Sequence, residues 1–214
     1  MAAMKLYTRW QNSAGERVRI ALNLKGLDYD YVSVGSLGAQ AYAAINPQGL
    51  MPALELDGQV FTQSVAILDL LEMRFPGYPL LPADPTRRAL SIAFGAVIAS
   101  EMHALTVNRV RKYLAGHGID EGGVTQWVQH WQSEGFMALE TLLARRERAW
   151  AYCYGEAPGW ADLHLAPQVA AARRLGVALE QFPLVVAIVE RCESLPAFIA
   201  ARPEAQPDFP KSAG

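Results

Sequence analysis

The stretch that most constrains the fold is residues 45–71, INPQGLMPALELDGQVFTQSVAILDLL. It holds a short extended run, residues 53–56, followed by Asp57-Gly58, a pair that suits the tight turn of a β-hairpin. A second strand, residues 60–62, completes the hairpin. Gln63-Ser64 then opens a helix whose Ile67, Leu70 and Leu71 share one apolar face. Pro52 stands directly ahead of the first strand, where a proline marks a forced backbone geometry, in some cases a cis bond. Ser64 sits where a helix presents free N–H groups and the positive end of its dipole. A carboxylate can dock there, or the serine can act as an ordinary N-cap.

The chain around this stretch reads as two kinds of structure. Residues 5–8 are a strand candidate, and a polar stretch, residues 9–15, leads into a helix. On that helix Val18, Ala21, Leu22 and Lys25 share a face, and Gly26 is the stop. Residues 29–34 alternate and are rich in aromatic and β-branched side chains, which predicts a second strand. Residues 38–45 are alanine-rich and predict a short irregular helix. This βαβ-ββα order resembles a thioredoxin-like domain, a mixed sheet with helices on both faces.

Residues 76–85 (PGYPLLPADP) carry four prolines and a glycine and read as a linker. Beyond them strand alternation stops. Helical runs are predicted over 86–114, 124–148, 160–175 and 183–192, with a short one from Pro196. Gly159 and Asp162 have the spacing of a helix-start capping box, with Asp162 reaching back. The expected architecture is an α/β N-terminal thioredoxin-like domain, residues 1–80, and an all-α C-terminal helical domain, residues 86–214.

Composition narrows the partners. A net charge of −2 over 214 residues gives no electrostatic argument for nucleic acid or an anionic membrane. No apolar run looks long enough to span a bilayer, and the opening MAAMKLYTRW lacks the apolar region of a signal peptide, so a cytoplasmic protein is expected. The two cysteines, Cys153 and Cys192, lack the spacing of a metal site and read as reduced thiols; no metal is expected.

Taken whole, Asn46, Pro47, Gly49, Met51, Pro52 and Leu54, then Gln63 and Ser64, resemble the glutathione site of the cytosolic glutathione transferases. The resemblance implies a cis bond at Pro52 and a backbone pairing of Met51 with the cysteinyl part of glutathione. Gln63 and Ser64 would hold its γ-glutamyl end. RVRIALNLKGLDYDYV, residues 17–32, is similar to the zeta class, which includes maleylacetoacetate and maleylpyruvate isomerases. Glu101-Met-His103 with Asn108 and Arg109, on the first long helix, and Pro167-Gln-Val169 with Arg173 and Arg174, extend the likeness. By that resemblance His103 approaches glutathione, Arg109 and Arg174 face an acidic substrate, and the chain pairs as a homodimer.

The likeness breaks just before Arg17. Zeta enzymes commonly read Arg-Ser-Ser-Cys here, and this chain reads Gln11, Asn12, Ser13 and Ala14. Gln11 replaces a substrate-facing arginine, and Asn12 replaces the serine that stabilises the thiolate. Ser13 keeps a hydroxyl one residue later and is expected to be the main donor, with Asn12 as the alternative. Either group at a helix N-terminus favours the anion and lowers a thiol pKa from its usual value near 8.5. The expected activity is glutathione-dependent cis-trans isomerisation of a small unsaturated keto acid. A conjugating or dehalogenating transferase and a non-catalytic binding module of the same fold are the alternatives.

Overall fold

The structure, a computed structural model, describes residues 4–210. Four strands, β1 (Met4–Thr8), β2 (Asp30–Ser33), β3 (Ala53–Leu56) and β4 (Gln59–Thr62), form one mixed sheet in the order β2-β1-β3-β4. β1 runs parallel to β2 and antiparallel to β3, and β3 pairs antiparallel with β4. Asp57 and Gly58 both have positive φ, 52° and 80°, the backbone of a two-residue hairpin turn whose twist suits the strands it joins.

Helix α1 (Ser13–Lys25) begins three residues earlier than the polar stretch 9–15 suggested, because Asn12 caps it: its side-chain carbonyl accepts from the Gly15 N–H. The short helices α2 (Val34–Leu37) and α3 (Ala39–Ile45) follow β2. α4 (Ser64–Arg74) follows the hairpin and packs against α1. At the end of α1 the buried Lys25 ammonium binds Glu72 at 3.0 Å and the carbonyls of Phe75 and Tyr78 at 2.8 and 2.6 Å. The start of the proline-rich linker is thereby tied to the sheet unit.

The chain divides into two compact units, one running through Leu80 and the other spanning Leu81–Glu193. From Ser194 onward the chain groups with the first unit, whereas the sequence reading placed everything after residue 86 in the second. The return is made by backbone carbonyls. Ala201 accepts from Arg19 Nε and Nη2 at 3.0 and 2.9 Å, and Ala197 accepts from Asn23 at 2.9 Å. The returning segment contains α11 (Pro196–Ile199) and a 3₁₀ turn, Pro203–Ala205.

The second unit is helical: α5 (Pro85–Ala96), a π-helical segment (Val97–His103), α6 (Ala104–Thr106), α7 (Asn108–Gly116), α8 (Glu121–Ala144), α9 (Trp160–Arg174) and α10 (Pro183–Glu193). The expected single helix over 86–114 is interrupted, because Val107 is extended (ψ 157°) and restarts the chain at Asn108. His103 and Arg109 therefore do not share one helix. The run Pro85–Gly116, with a mean hydropathy of 1.5 in its most apolar window, is long and apolar enough to cross a membrane by length and composition, contrary to the sequence reading. Phe94, Ile98 and Met102 of this run are buried, and α5 and the π segment pack on α9 and α8. Leu90 and Ile92 are exposed.

The start of α9 matches its sequence signature. The buried Asp162 carboxylate accepts from Gly159 N–H at 2.9 Å and also from Cys153 N–H at 2.9 Å. Burial pushes its pKa up, and these backbone donors oppose the shift. Cys153 and Cys192 are free, buried thiols, and burial pushes both pKa values up. Among the described residues no cluster of metal-ligating side chains occurs.

Candidate functional site

Strand register brings the sequence motifs of the first unit together. Tyr7 lies opposite Ala53, and Ala53 lies opposite Thr62. Three segments therefore emerge at one end of the sheet: the loop 9–12 after β1, Met51-Pro52 before β3, and Gln63-Ser64 after β4. α1 and α4 both begin there, so the positive ends of two helix dipoles converge on one region.

The approach to Pro52 is built by side chains, not by chance turns. Asn46 is buried, donates to the Leu50 carbonyl at 2.6 Å and accepts from the Gln48 N–H at 3.1 Å. The Tyr42 hydroxyl donates to the same Leu50 carbonyl at 2.8 Å. Gly49 N–H closes a turn on the Asn46 carbonyl at 2.8 Å. Met51-Pro52 is a cis peptide, as the resemblance implied.

At the start of α4, Gln63 holds φ 66° and ψ 116°, a backbone region that costs a non-glycine residue about 1–3 kcal/mol and concentrates at functional sites. Its amide donates to Gln48 Oε1 at 2.6 Å. No side chain caps α4, and Ser64 is 7% exposed with no hydroxyl partner among the described residues. A hydroxyl without a protein partner beside uncapped N–H groups is an acceptor-seeking site, suited to a carboxylate.

At the start of α1 the cap geometry separates the two thiolate-donor candidates. Asn12 is the cap, with its carbonyl oxygen committed to Gly15 and its amide NH₂ without a partner among the described residues. Ser13 is the first helical residue, 8% exposed, and its hydroxyl has no partner among the described residues. The cap needs Gly15 itself, because a Cβ there would lie closer than 3.0 Å to Thr8 Oγ1 and Asn12 Oδ1. Gln11 is half-buried, and its carbonyl accepts from Arg9 at 3.0 Å.

The remaining expected site residues lie in the second unit. His103 ends the π segment and is half-buried. Arg109 is exposed in the first turn of α7, and Arg174 is exposed at the end of α9. Neither arginine has a side-chain partner among the described residues. Below His103, a buried relay runs from Gln168 to Gln132 at 2.9 Å, to Thr106 at 2.9 Å, and to the Met102 carbonyl at 2.8 Å. It fixes the π segment against α8 and α9.

Two residues near the loop were not singled out from the sequence. Arg19 is fully buried and bonds the carbonyls of Arg9 and Trp10, each at 3.3 Å. Burial pushes its pKa down, and the same effect brings the buried Arg17 to about 10. Asp208, near the end of the chain, accepts from Tyr31 and Ser33 of β2. The signal in the sequence was two arginines on a helix otherwise lined by apolar residues, since arginine is rarely buried without a task.

Comparison with known proteins agrees with this geometry. Residues 11–79 match the family described as glutathione S-transferase, N-terminal domain, and residues 132–196 the glutathione S-transferase, C-terminal domain. Maleylacetoacetate isomerase of Pseudomonas aeruginosa is 42% identical over 214 residues, covering 97% of this chain and 99% of that protein. The holo structure of a maleyl pyruvate isomerase, a bacterial zeta-class glutathione S-transferase, superposes with a TM-score of 0.92 at 42% identity, covering 96% of this chain and 100% of that one. A maleylacetoacetate isomerase from Methylobacterium extorquens AM1, solved with malonate and GSH bound, gives 0.90 at 38% identity, covering 97% of this chain and 100% of that one. With its register-aligned cis-proline and helix starts, and with likeness along nearly its whole length, the chain belongs to the glutathione S-transferases, in the zeta class with the maleylacetoacetate and maleylpyruvate isomerases.

Proposed function

We propose that this protein is a glutathione-dependent isomerase that converts the cis form of a small unsaturated keto acid, of the maleylacetoacetate or maleylpyruvate kind, to the trans form. The observation that carries the reading is the pair of hydroxyls without protein partners among the described residues, on the largely buried Ser13 and Ser64, at two helix starts that emerge from one end of the sheet. They suit two anionic groups of glutathione, the thiolate of its central cysteinyl residue and its γ-glutamyl carboxylate. A relative solved with malonate and GSH together supports an acidic second ligand.

Ser64 and the α4 N–H groups hold the carboxylate, with Gln63 beside them and the Met51 backbone pairing with the cysteinyl segment. Glutathione, when bound, would supply a thiolate for reversible addition to the conjugated double bond, its expulsion after rotation restoring both the double bond and the free thiol. Ser13 donates to the sulfur, because Asn12 has taken over the capping task. The Asn12 amide is the second donor, with its carbonyl turned away to Gly15. Arg109 and Arg174 offer guanidinium groups without protein partners to substrate carboxylates and to the charge that builds on the carbonyl oxygen.

Gln11 and Asn12, where the class commonly carries arginine and serine, favour a second reading as a glutathione-conjugating or dehalogenating transferase. Isomerisation of maleylacetone, followed by absorbance with and without glutathione, separates the two. Turnover that requires glutathione without consuming it supports the isomerase. Stoichiometric loss of the thiol supports conjugation.

A homodimer belongs to the same proposal. Val65 and Met73 of α4 are exposed apolar residues, Met73 at 72%, and Leu90 and Ile92 of α5 are exposed as well. The homodimer itself is carried by the resemblance to the cytosolic glutathione transferases. A monomer mass in sedimentation at micromolar concentration would refute it.

A further inference from the structure

The loop that carries Gln11 and Asn12 is four residues long and is held by groups far away in sequence. Arg19, fully buried, donates Nη1 and Nη2 to the carbonyls of Arg9 and Trp10, while its Nε and Nη2 reach the carbonyl of Ala201. Asp208 also faces the loop, because the Trp10 backbone N–H is among the groups that lower its carboxyl pKa. The same carboxylate is anchored to β2, by the Tyr31 hydroxyl at 2.6 Å and the Ser33 hydroxyl at 2.7 Å. Phe209 stacks edge-to-face on Trp10, with ring centroids 5.2 Å apart at 87°. Gln206, buried, shapes this segment by donating to the carbonyls of Ala200 and Arg202 at 2.9 and 2.8 Å.

We propose that the C-terminal segment 206–209 is a working part of the site, with Asp208 as a positioning residue that sets where the loop 10–13 places its donors. The physical reason is that the carbonyls of Arg9 and Trp10 are held from outside the loop, by Arg19, which is itself tied to the returning C-terminal segment through Ala201. The Trp10 ring is half-exposed and the loop lies between a strand end and a helix start, so its backbone is fixed only where a partner binds it. The tail packs the Phe209 ring on Trp10, two residues before Asn12 and three before Ser13, and Asp208 ties that tail to β2 through Tyr31 and Ser33. A donor that drifts by a fraction of an ångström loses most of its effect on a thiolate. Asp208 touches neither substrate nor glutathione, and it acts through the backbone.

The inference rests on the glutathione reading above, and its test separates the two. In the full-length protein, Asp208→Ala, Asp208→Asn and Phe209→Ala are compared with wild type. The measurements are amide hydrogen exchange of residues 10–13, the thiol pKa of bound glutathione from ultraviolet absorbance, and affinity for S-methylglutathione by calorimetry. Asp208→Ala is expected to speed exchange at Trp10 at least about tenfold and to raise the bound thiol pKa by about half a unit to one unit. Affinity for S-methylglutathione, which has no thiol to ionise, stays within about twofold. Asp208→Asn, which keeps one acceptor oxygen, falls between, and Phe209→Ala gives a smaller shift in the same direction. If the wild type lowers the glutathione thiol pKa and all three variants lower it equally, the segment is only structural and the proposal fails alone. If the wild type leaves that pKa unchanged, the glutathione reading fails and takes the proposal with it.

Discussion

Replacing Gly15 with alanine is expected to cost about 2 kcal/mol and to release the cap of α1. The new methyl would lie closer than 3.0 Å to both Thr8 Oγ1 and Asn12 Oδ1. Thr8 is fully buried beside Arg19 and has nowhere to go, whereas Asn12 is half-buried and can swing outward. The relief therefore falls on Asn12 and breaks its bond to the Gly15 N–H. Loss of a cap costs about 1 kcal/mol, and residual crowding against Thr8 adds about 2. The gain in helix propensity from glycine to alanine returns up to about 1. For a chain of 214 residues that net loss lowers the melting temperature by about 4–8 °C, readable by circular dichroism. The sharper test is a double-mutant cycle with Asn12→Ala. Both changes delete the same cap, so the double variant should fall short of the summed losses by about 1 kcal/mol. Strict additivity, or a Gly15→Ala protein as stable as wild type, would falsify the close approach and the capping role together.

Ser64→Ala should weaken glutathione binding about ten- to hundredfold, the worth of one hydrogen bond to a charged group, and calorimetry showing unchanged affinity removes Ser64 from the site. Ser13→Ala should raise the pKa of the bound thiol by about one unit and Asn12→Ala by less. The reverse order makes the asparagine the main donor. Arg109→Ala should raise KM and lower kcat for an acidic enone while glutathione affinity holds. Equal effects on an uncharged substrate rule out anion recognition. Burial pushes the Asp208 carboxyl up, but donation from Tyr31, Ser33 and the Trp10 N–H outweighs it and holds the pKa below the usual value. Its stabilising effect is thus complete above the unfolded pKa of about 3.9 and lost as pH falls through the lower folded value. The stability gap between wild type and Asp208→Asn should be constant from pH 5 to 7 and close only below about pH 4. A gap that closes nearer neutrality contradicts the three-donor arrangement.

Where a signal is local, the sequence by itself determined the outcome. The Asp57-Gly58 turn, the helix start at Ser64, the stop at Gly26 and the Asp162 box each depend on a few adjacent residues whose backbone preferences and reach are intrinsic. The strands followed from alternation, and their register then brought the loop 9–12, Pro52 and Ser64 to one end of the sheet. The interruption at Val107 was not legible, since neither proline nor glycine marks it. The helix breaks where the Thr106, Gln132 and Gln168 relay anchors the preceding turn. Only tertiary structure decided that the chain from Ser194 onward returns to the first unit, that Arg19 binds a carbonyl 182 residues away, and that Asp208 binds Tyr31 and Ser33 of β2. The physical reason is that a buried hydrogen bond between distant segments leaves no periodicity behind. It appears in the sequence only as a polar residue in an apolar setting, and its partner is chosen by the fold.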